Sequence, residues 1–253
     1  MQRVSQICVS VLWLAMVIYP VSVVLHTVSG GIWGQLTSTT QLVVGTRVLG
    51  VTIFTLVVQQ ILTQEYRPFF NRVFGPYFTK RYHIVVGTST LLLACFHPLL
   101  YYISLVMSGV GLSEILLGAN YQYPLRLFYL LGPTAITILF ATALSGLLRN
   151  WEPLKKYWYI IHKLNYVLFV VAFFHSWNMG EDVGAIVSLR ILWILYAVVL
   201  VVGFGYKFWL RPYLIRKDSA STEQGQIPDH GHVVAPLGRN HQVRNDLRKG
   251  IDL

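Results

Sequence analysis

A chain of 253 residues of which 55% are hydrophobic and only 12% charged is not an ordinary soluble domain, because such domains average about 25% charged residues. The formal net charge of +10 does not mark a nucleic-acid binder: no basic stripe with interleaved aromatics is present, and Lys and Arg fall between apolar runs, where they report membrane topology. Cys8 and Cys95 both lie inside apolar runs, so neither a disulfide framework nor a CxxC metal site is available.

Six stretches approach the ~20 residues that a helix needs to cross a bilayer: 5–27, 43–63, 83–107, 127–148, 157–178 and 186–208. The apolar run of the first is longer than the ~7–15 residues of a signal-peptide core and no A-x-A site follows it, so it is read as a retained helix. Short-loop charges set the orientation. Arg3, the group from Arg67 to Arg81, the group from Arg149 to Lys156, and the group from Lys207 to Lys217 all fall on one side, whereas 28–42, 108–125 and 179–185 hold no Lys or Arg and carry Glu114, Glu181 and Asp182. The expected fold is an all-α membrane protein, a six-helix transmembrane bundle over 1–215 with both termini cytoplasmic, multi-pass in a bacterial inner membrane. Residues 216–253 are polar and free of aromatics, which predicts a disordered cytoplasmic tail.

The third span carries His83 and His97, fourteen residues apart, and the fifth carries His162 and His175, thirteen apart. Ionisable side chains inside a membrane are costly and mark function by default. Both spans start at the cytoplasmic face, so at ~1.5 Å rise per residue each pair is separated by about 20 Å along the membrane normal. His83 and His162 then share an inner level, and His97 and His175 an outer one. A haem iron with two axial imidazoles takes one histidine from each of two facing helices, and the four residues supply that geometry twice. The angles agree less well: at ~100° per residue a step of fourteen falls about 40° short of four turns, but a step of thirteen falls about 140° short, so a kink or distorted winding is required in the fifth span.

Other residues take a reading once haems are supposed. Gly87, one turn after His83, removes a side chain where a macrocycle would approach the helix, although small-residue packing explains it as well. Pro98 follows His97 and should bend that helix. Lys163, Arg81 and Lys80 surround the inner level and could meet haem propionates; topological anchoring accounts for the last two equally. Arg190 is a weaker candidate at the outer level. Phe169 lies between His162 and His175, where it either fills the gap between haems or packs. His26 reads as a packing residue, and His230, His232 and His241 belong to the polar tail.

The runs GTRVLGVTIFTLVVQQ, RVFGPYFTKRYHIVVGTSTLLLACFHPLLYY and YWYIIHKLNYVLFVVAFFH resemble the core of the ferric reductase-like transmembrane family, which includes iron reductases, NADPH oxidases and the membrane subunit of the methionine sulfoxide reductase system. The resemblance covers about residues 40–210. It implies two haem b groups held by His83, His97, His162 and His175, the thirteen-residue step included, with Arg47 beside the outer haem. Oxidase members commonly carry a further histidine where this chain has Tyr101, which counts against superoxide production.

Complete reductases of that family continue into flavin-binding and nicotinamide-binding domains, and 216–253 is too short for either. The expectation is therefore a di-haem electron conduit with no flavin or nicotinamide site of its own. A separate cytoplasmic flavoprotein or a quinol would be the donor, and a ferric chelate, oxygen, quinone or periplasmic protein the outer acceptor. Two alternatives stay open: a quinone-linked cytochrome b subunit of a periplasmic reductase, and a haem-free proton channel or transporter using the histidines as a relay.

Overall fold

The computed structural model describes residues 2–29, 36–118 and 121–207. Among these there is no strand, as expected where lipid leaves backbone groups to be satisfied within the segment. Six helical spans long and apolar enough to cross a membrane are present. The first is α1, Gln2–Ser29, and the second α2, Ser38–Glu65. Thr37 caps α2, its side-chain oxygen accepting from the Thr40 amide at 3.3 Å.

A short helix, α3 (Arg67–Phe74), follows and ends on Gly75. Gly75 has φ 88, in the left-handed region that suits glycine, and Pro76 then opens α4, Pro76–Met107. The predicted third span began at 83. The observed helix starts seven residues earlier, so His83 lies about two turns inside it rather than at its mouth. α4 stays helical through Pro98.

Beyond the small α5 (Leu112–Leu117) comes α6, Leu125–Leu147, the fourth span. The fifth span is built from two helices, α8 (Trp158–His162) and α9 (Asn165–Met179), preceded by the single turn α7 (Glu152–Lys155). Another short helix, α10 (Glu181–Ala185), leads into the sixth span, α11 (Val187–Gly205). All six spans fall within one compact unit that ends at Tyr206. The predicted tail, with His230, His232 and His241, lies outside the described residues.

Two helix pairs organise the bundle: α2 packs along α4, and α6 along α9, with α1 and α11 against α2. α2 is the central element, buried along most of its length from Val44 to Thr63. Its Phe54 stacks on Trp193 of α11 at 4.8 Å and on Phe169 of α9 at 5.8 Å between ring centroids. Trp193 is fully buried and its indole N–H donates to Ser176 Oγ at 2.9 Å. The opposite faces expose Ile84, Leu92, Phe96, Val199 and Val201, as suits helices whose outer surface meets lipid.

Polar side chains inside the spans are mostly spent within the chain. Thr55, Thr63 and Thr90 each donate to the carbonyl four residues earlier. Gln59 joins three helices, its amide donating to the Trp13 carbonyl at 2.7 Å while its carbonyl accepts from the Tyr82 hydroxyl at 2.9 Å. Truncating the central aromatic should therefore cost more than truncating a lipid-facing residue. Trp193→Ala is expected to lose about 3–5 kcal/mol in denaturant unfolding of the detergent-solubilised protein, and Val201→Ala, whose parent side chain is 65% exposed, to stay within about 0.5 kcal/mol of the parent. Equal losses would show that the aromatic centre is not the core.

Candidate functional site

Among the described residues α4 does not pack extensively on α8 or α9; across the space between them the histidines of α4 approach His162, which ends α8, and His175 of α9. The rings of His83 and His162 have centroids 5.9 Å apart and planes inclined at 77°. His97 and His175 lie close enough to sense each other's charge. The two meetings fall on separate levels of the bundle, about 20 Å apart at fourteen residues of helical rise. The sequence-derived pairing is the one the fold brings together.

Each pairing is braced from a third helix. His97 Nδ1 lies 3.0 Å from the Thr46 carbonyl of α2. On α6, the Phe128 carbonyl meets His175 Nδ1 at 2.9 Å and the Thr142 carbonyl meets His162 Nδ1 at 3.1 Å. A carbonyl oxygen only accepts, so in all three rings Nδ1 carries the proton and Nε2 keeps its lone pair. That is the tautomer of a histidine that ligates through Nε2, with its other nitrogen held by an outer partner.

Four residues beyond each of these carbonyls stands a glycine. A Cβ on Gly50 would lie 3.1 Å from His97 Cε1, one on Gly132 2.8 Å from His175 Cε1, and one on Gly146 3.7 Å from His162 Cε1. The missing side chain lets the imidazole settle against the helix and reach a carbonyl that already serves the helical ladder. These carbonyl and glycine positions were not singled out from the sequence. A signal was there: Gly132 and Gly146 repeat the fourteen-residue step of His83 and His97.

The thirteen-residue step on the other span is partly reconciled by a break. α8 stops at His162 and α9 begins at Asn165. Between them the Leu164 amide donates to the Ile161 carbonyl at 3.0 Å and the Tyr166 amide to the Lys163 carbonyl at 3.1 Å, both three residues back. At about 120° rather than 100° per residue, three such steps recover roughly 60° of the missing turn. The Asn165 side chain takes up the His162 carbonyl at 2.9 Å.

The charged candidates fare differently. Arg47 faces the end of the bundle near the His97 level, but its guanidinium already grips Asp182, which is buried; Arg47 Nε donates to Asp182 Oδ2 at 2.7 Å, Nη2 to Oδ1, and Nη1 sits 3.1 Å from Glu181. Asp182 was read only as part of an acidic loop; α10 turns it back into the bundle. An anionic group beside Arg47 would have to compete with that carboxylate.

At the other level, Lys80, Arg81 and Lys163 are all exposed, with Lys163 Nζ over the Tyr159 ring at 4.3 Å. Arg67, which the sequence reading placed only as a topological charge, is exposed as well and lies near enough to His83 for its charge to be felt there. Arg190 is engaged by the Val183 and Gly184 carbonyls. Phe169 is buried against Phe54 and Phe173, a packing role. Gly87 faces Gln60, whose Oε1 would be 3.9 Å from an added Cβ. Tyr101 shares a 2.5 Å hydroxyl contact with Tyr121, and His26 is exposed.

Among the described residues no group of three or more His, Cys, Asp or Glu is placed to hold a bare metal ion. A pair of histidines could offer a metal two ligands, the number that suits one whose remaining positions come from a macrocycle. With metal–nitrogen distances of about 2 Å, two axial imidazoles have centroids roughly 6 Å apart, and the 5.9 Å between His83 and His162 fits. No protein family, characterised protein or solved structure matches this chain.

The bracing makes a graded prediction. Helix propensity alone favours Gly→Ala by up to about 1 kcal/mol, yet Gly132→Ala should lower the thermal midpoint, Gly50→Ala should lower it less, and Gly146→Ala should be tolerated, in the order of the added contacts. Gly205→Ala, where an added Cβ meets nothing within 4 Å, serves as the control. Stabilisation of Gly132→Ala in a thermal scan would show that the His175 contact is not tight.

Proposed function

We propose that this protein is a transmembrane electron conduit that binds two haem b groups, one held by His83 and His162 and the other by His97 and His175. The observation that carries the reading is the pairing of imidazoles from two helices at two levels, with Nδ1 of three rings held by a backbone carbonyl. When bound, each haem supplies a one-electron couple that cycles between ferric and ferrous iron. Everything else comes from the chain.

The carbonyls of Thr46, Phe128 and Thr142 hold a proton at Nδ1 and so leave an unprotonated Nε2 on His97 of α4, His175 of α9 and His162 of α8. Those bonds also raise the basicity of the ligating nitrogen. Apolar spans around both levels exclude water and lower the local dielectric, which sets the potential at which iron changes state. Arg67 contributes positive charge on the His83 side, where an anionic propionate or an incoming electron is favoured. The Arg47–Asp182 pair fixes the opposite end of α2 to α10 and keeps Thr46 in register with His97.

The concentration of Lys and Arg between the second and third and between the fourth and fifth spans supports a cytoplasmic face at the His83 level. The donor is then a separate cytoplasmic flavoprotein or a quinol, and the acceptor lies on the His97 side: a ferric chelate, oxygen, a quinone or a periplasmic protein. This reading resembles the ferric reductase-like family.

The test is an absorption spectrum of the purified protein before and after dithionite, with haem quantified per chain. The expected outcome is about two low-spin haem b per chain, with His97→Ala and His175→Ala each losing the same single haem and His83→Ala and His162→Ala the other. A colourless protein that stays colourless after haem supplementation would leave the histidines as a proton relay and overturn the conduit.

A further inference from the structure

Three imidazoles have their Nδ1 held; the fourth does not. His83 Nδ1 is buried with no hydrogen-bond partner among the described residues, and so are both ends of the Gln60 side-chain amide. Leaving a buried polar atom unmade costs about 1–3 kcal/mol, and three such atoms close together call for an explanation. They lie on facing helices within about one turn of each other. Gln60 Oε1 faces Gly87, one helical turn from His83 on the same face of α4, and the preceding residues of the two helices, Gln59 and Tyr82, are hydrogen-bonded at 2.9 Å.

The register of the antiparallel pair identifies what is different here. At the other level His97 meets the Thr46 carbonyl and packs on Gly50. Fourteen residues back along α4 is His83, and fourteen residues on along α2 the carbonyl position becomes Gln60 and the glycine position Gln64. α6 repeats its carbonyl and glycine after the same fourteen residues, Phe128 with Gly132 and Thr142 with Gly146. α2 does not. By that register a side chain at Gln64 takes the place of the one missing at Gly50; His83 Nδ1 meets no backbone carbonyl, and residue 60 carries an unbonded side-chain carbonyl instead.

We propose that Gln60 is the positioning residue for His83: its Oε1 accepts the Nδ1–H of His83, which leaves His83 Nε2 as the ligating nitrogen and does with a side chain what a backbone carbonyl does for the other three histidines. The inference rests on the reading of the four histidines as haem ligands. A side-chain acceptor is movable where a backbone one is fixed, so the His83 site is the adjustable one of the two.

The experiment compares wild type, Gln60→Leu and Gln60→Leu combined with Gln64→Gly, by haem titration and by ¹⁵N NMR of the histidine rings in haem-free protein. In Gln60→Leu, haem affinity at the His83–His162 site should fall about 10- to 100-fold while the other site keeps its haem. The His83 ring should also lose its preference for the Nδ1–H tautomer. Adding Gln64→Gly opens the backbone carbonyl of residue 60 and should restore both, an outcome that a simple packing defect would not give. Unchanged affinity together with an unchanged His83 tautomer in Gln60→Leu would overturn the assignment. If wild type takes up no haem, the conduit reading fails by itself and the tautomer comparison still decides the Gln60–His83 bond.

Discussion

An imidazole inside a membrane has two nitrogens to satisfy and no water to do it. The whole arrangement follows from that constraint. One nitrogen must donate its proton, and the nearest dependable acceptors in a helical bundle are backbone carbonyls, whose second lone pair is free even when the first serves the helix. Reaching one from a neighbouring helix requires close approach, and close approach requires that no side chain stand in the way. Hence Gly50, Gly132 and Gly146 sit where they do, and hence α2 lies against α4 and α6 against α9. Once Nδ1 is committed to a carbonyl, Nε2 is left with a lone pair in an apolar space, and on the function proposed above a metal shared with a second imidazole takes it up.

The rest of the fold keeps these contacts from drifting. α2 is buried along most of its length, with Phe54 at the meeting point of α2, α9 and α11, so the helix that braces His97 is also the one most tightly held. At the end beyond Thr46, the Arg47–Asp182 pair fastens α2 to α10. A buried ion pair of this kind is weak evidence for net stability, because desolvation offsets much of the attraction. Its directional two-pronged contact does fix register, and register is what a carbonyl–imidazole bond one residue away depends on. Opposite, Gln59 holds α1, α2 and α4 together through Trp13 and Tyr82.

Much of the bundle is legible in the chain itself. Six apolar stretches are visible because a membrane helix must be apolar over its full length, a long signal that needs no partner to interpret. The histidine ladders are visible because ionisable residues are rare in such stretches. Less legible are features that depend on what lies across an interface. Asp182 reads as one more acidic loop residue until α10 folds it onto Arg47. Arg67 resembles any topological cation until α3 carries it toward His83. The angular mismatch of the thirteen-residue step is reduced by a tight turn at Lys163 and Leu164, which no periodicity announces.

The sequence by itself determined the number of spans, the end at which positive charge gathers and the spacing of the histidines along their spans, since each of these depends on position along one chain in an apolar solvent. Which nitrogen of three of the rings is committed, which glycines make room, and why His83 Nδ1 alone meets no backbone carbonyl were decided only when helices distant in sequence were set side by side. Hydrogen bonds and close contacts are properties of pairs of elements, and the identity of the facing atom is fixed by packing and register, not by either strand of sequence read alone.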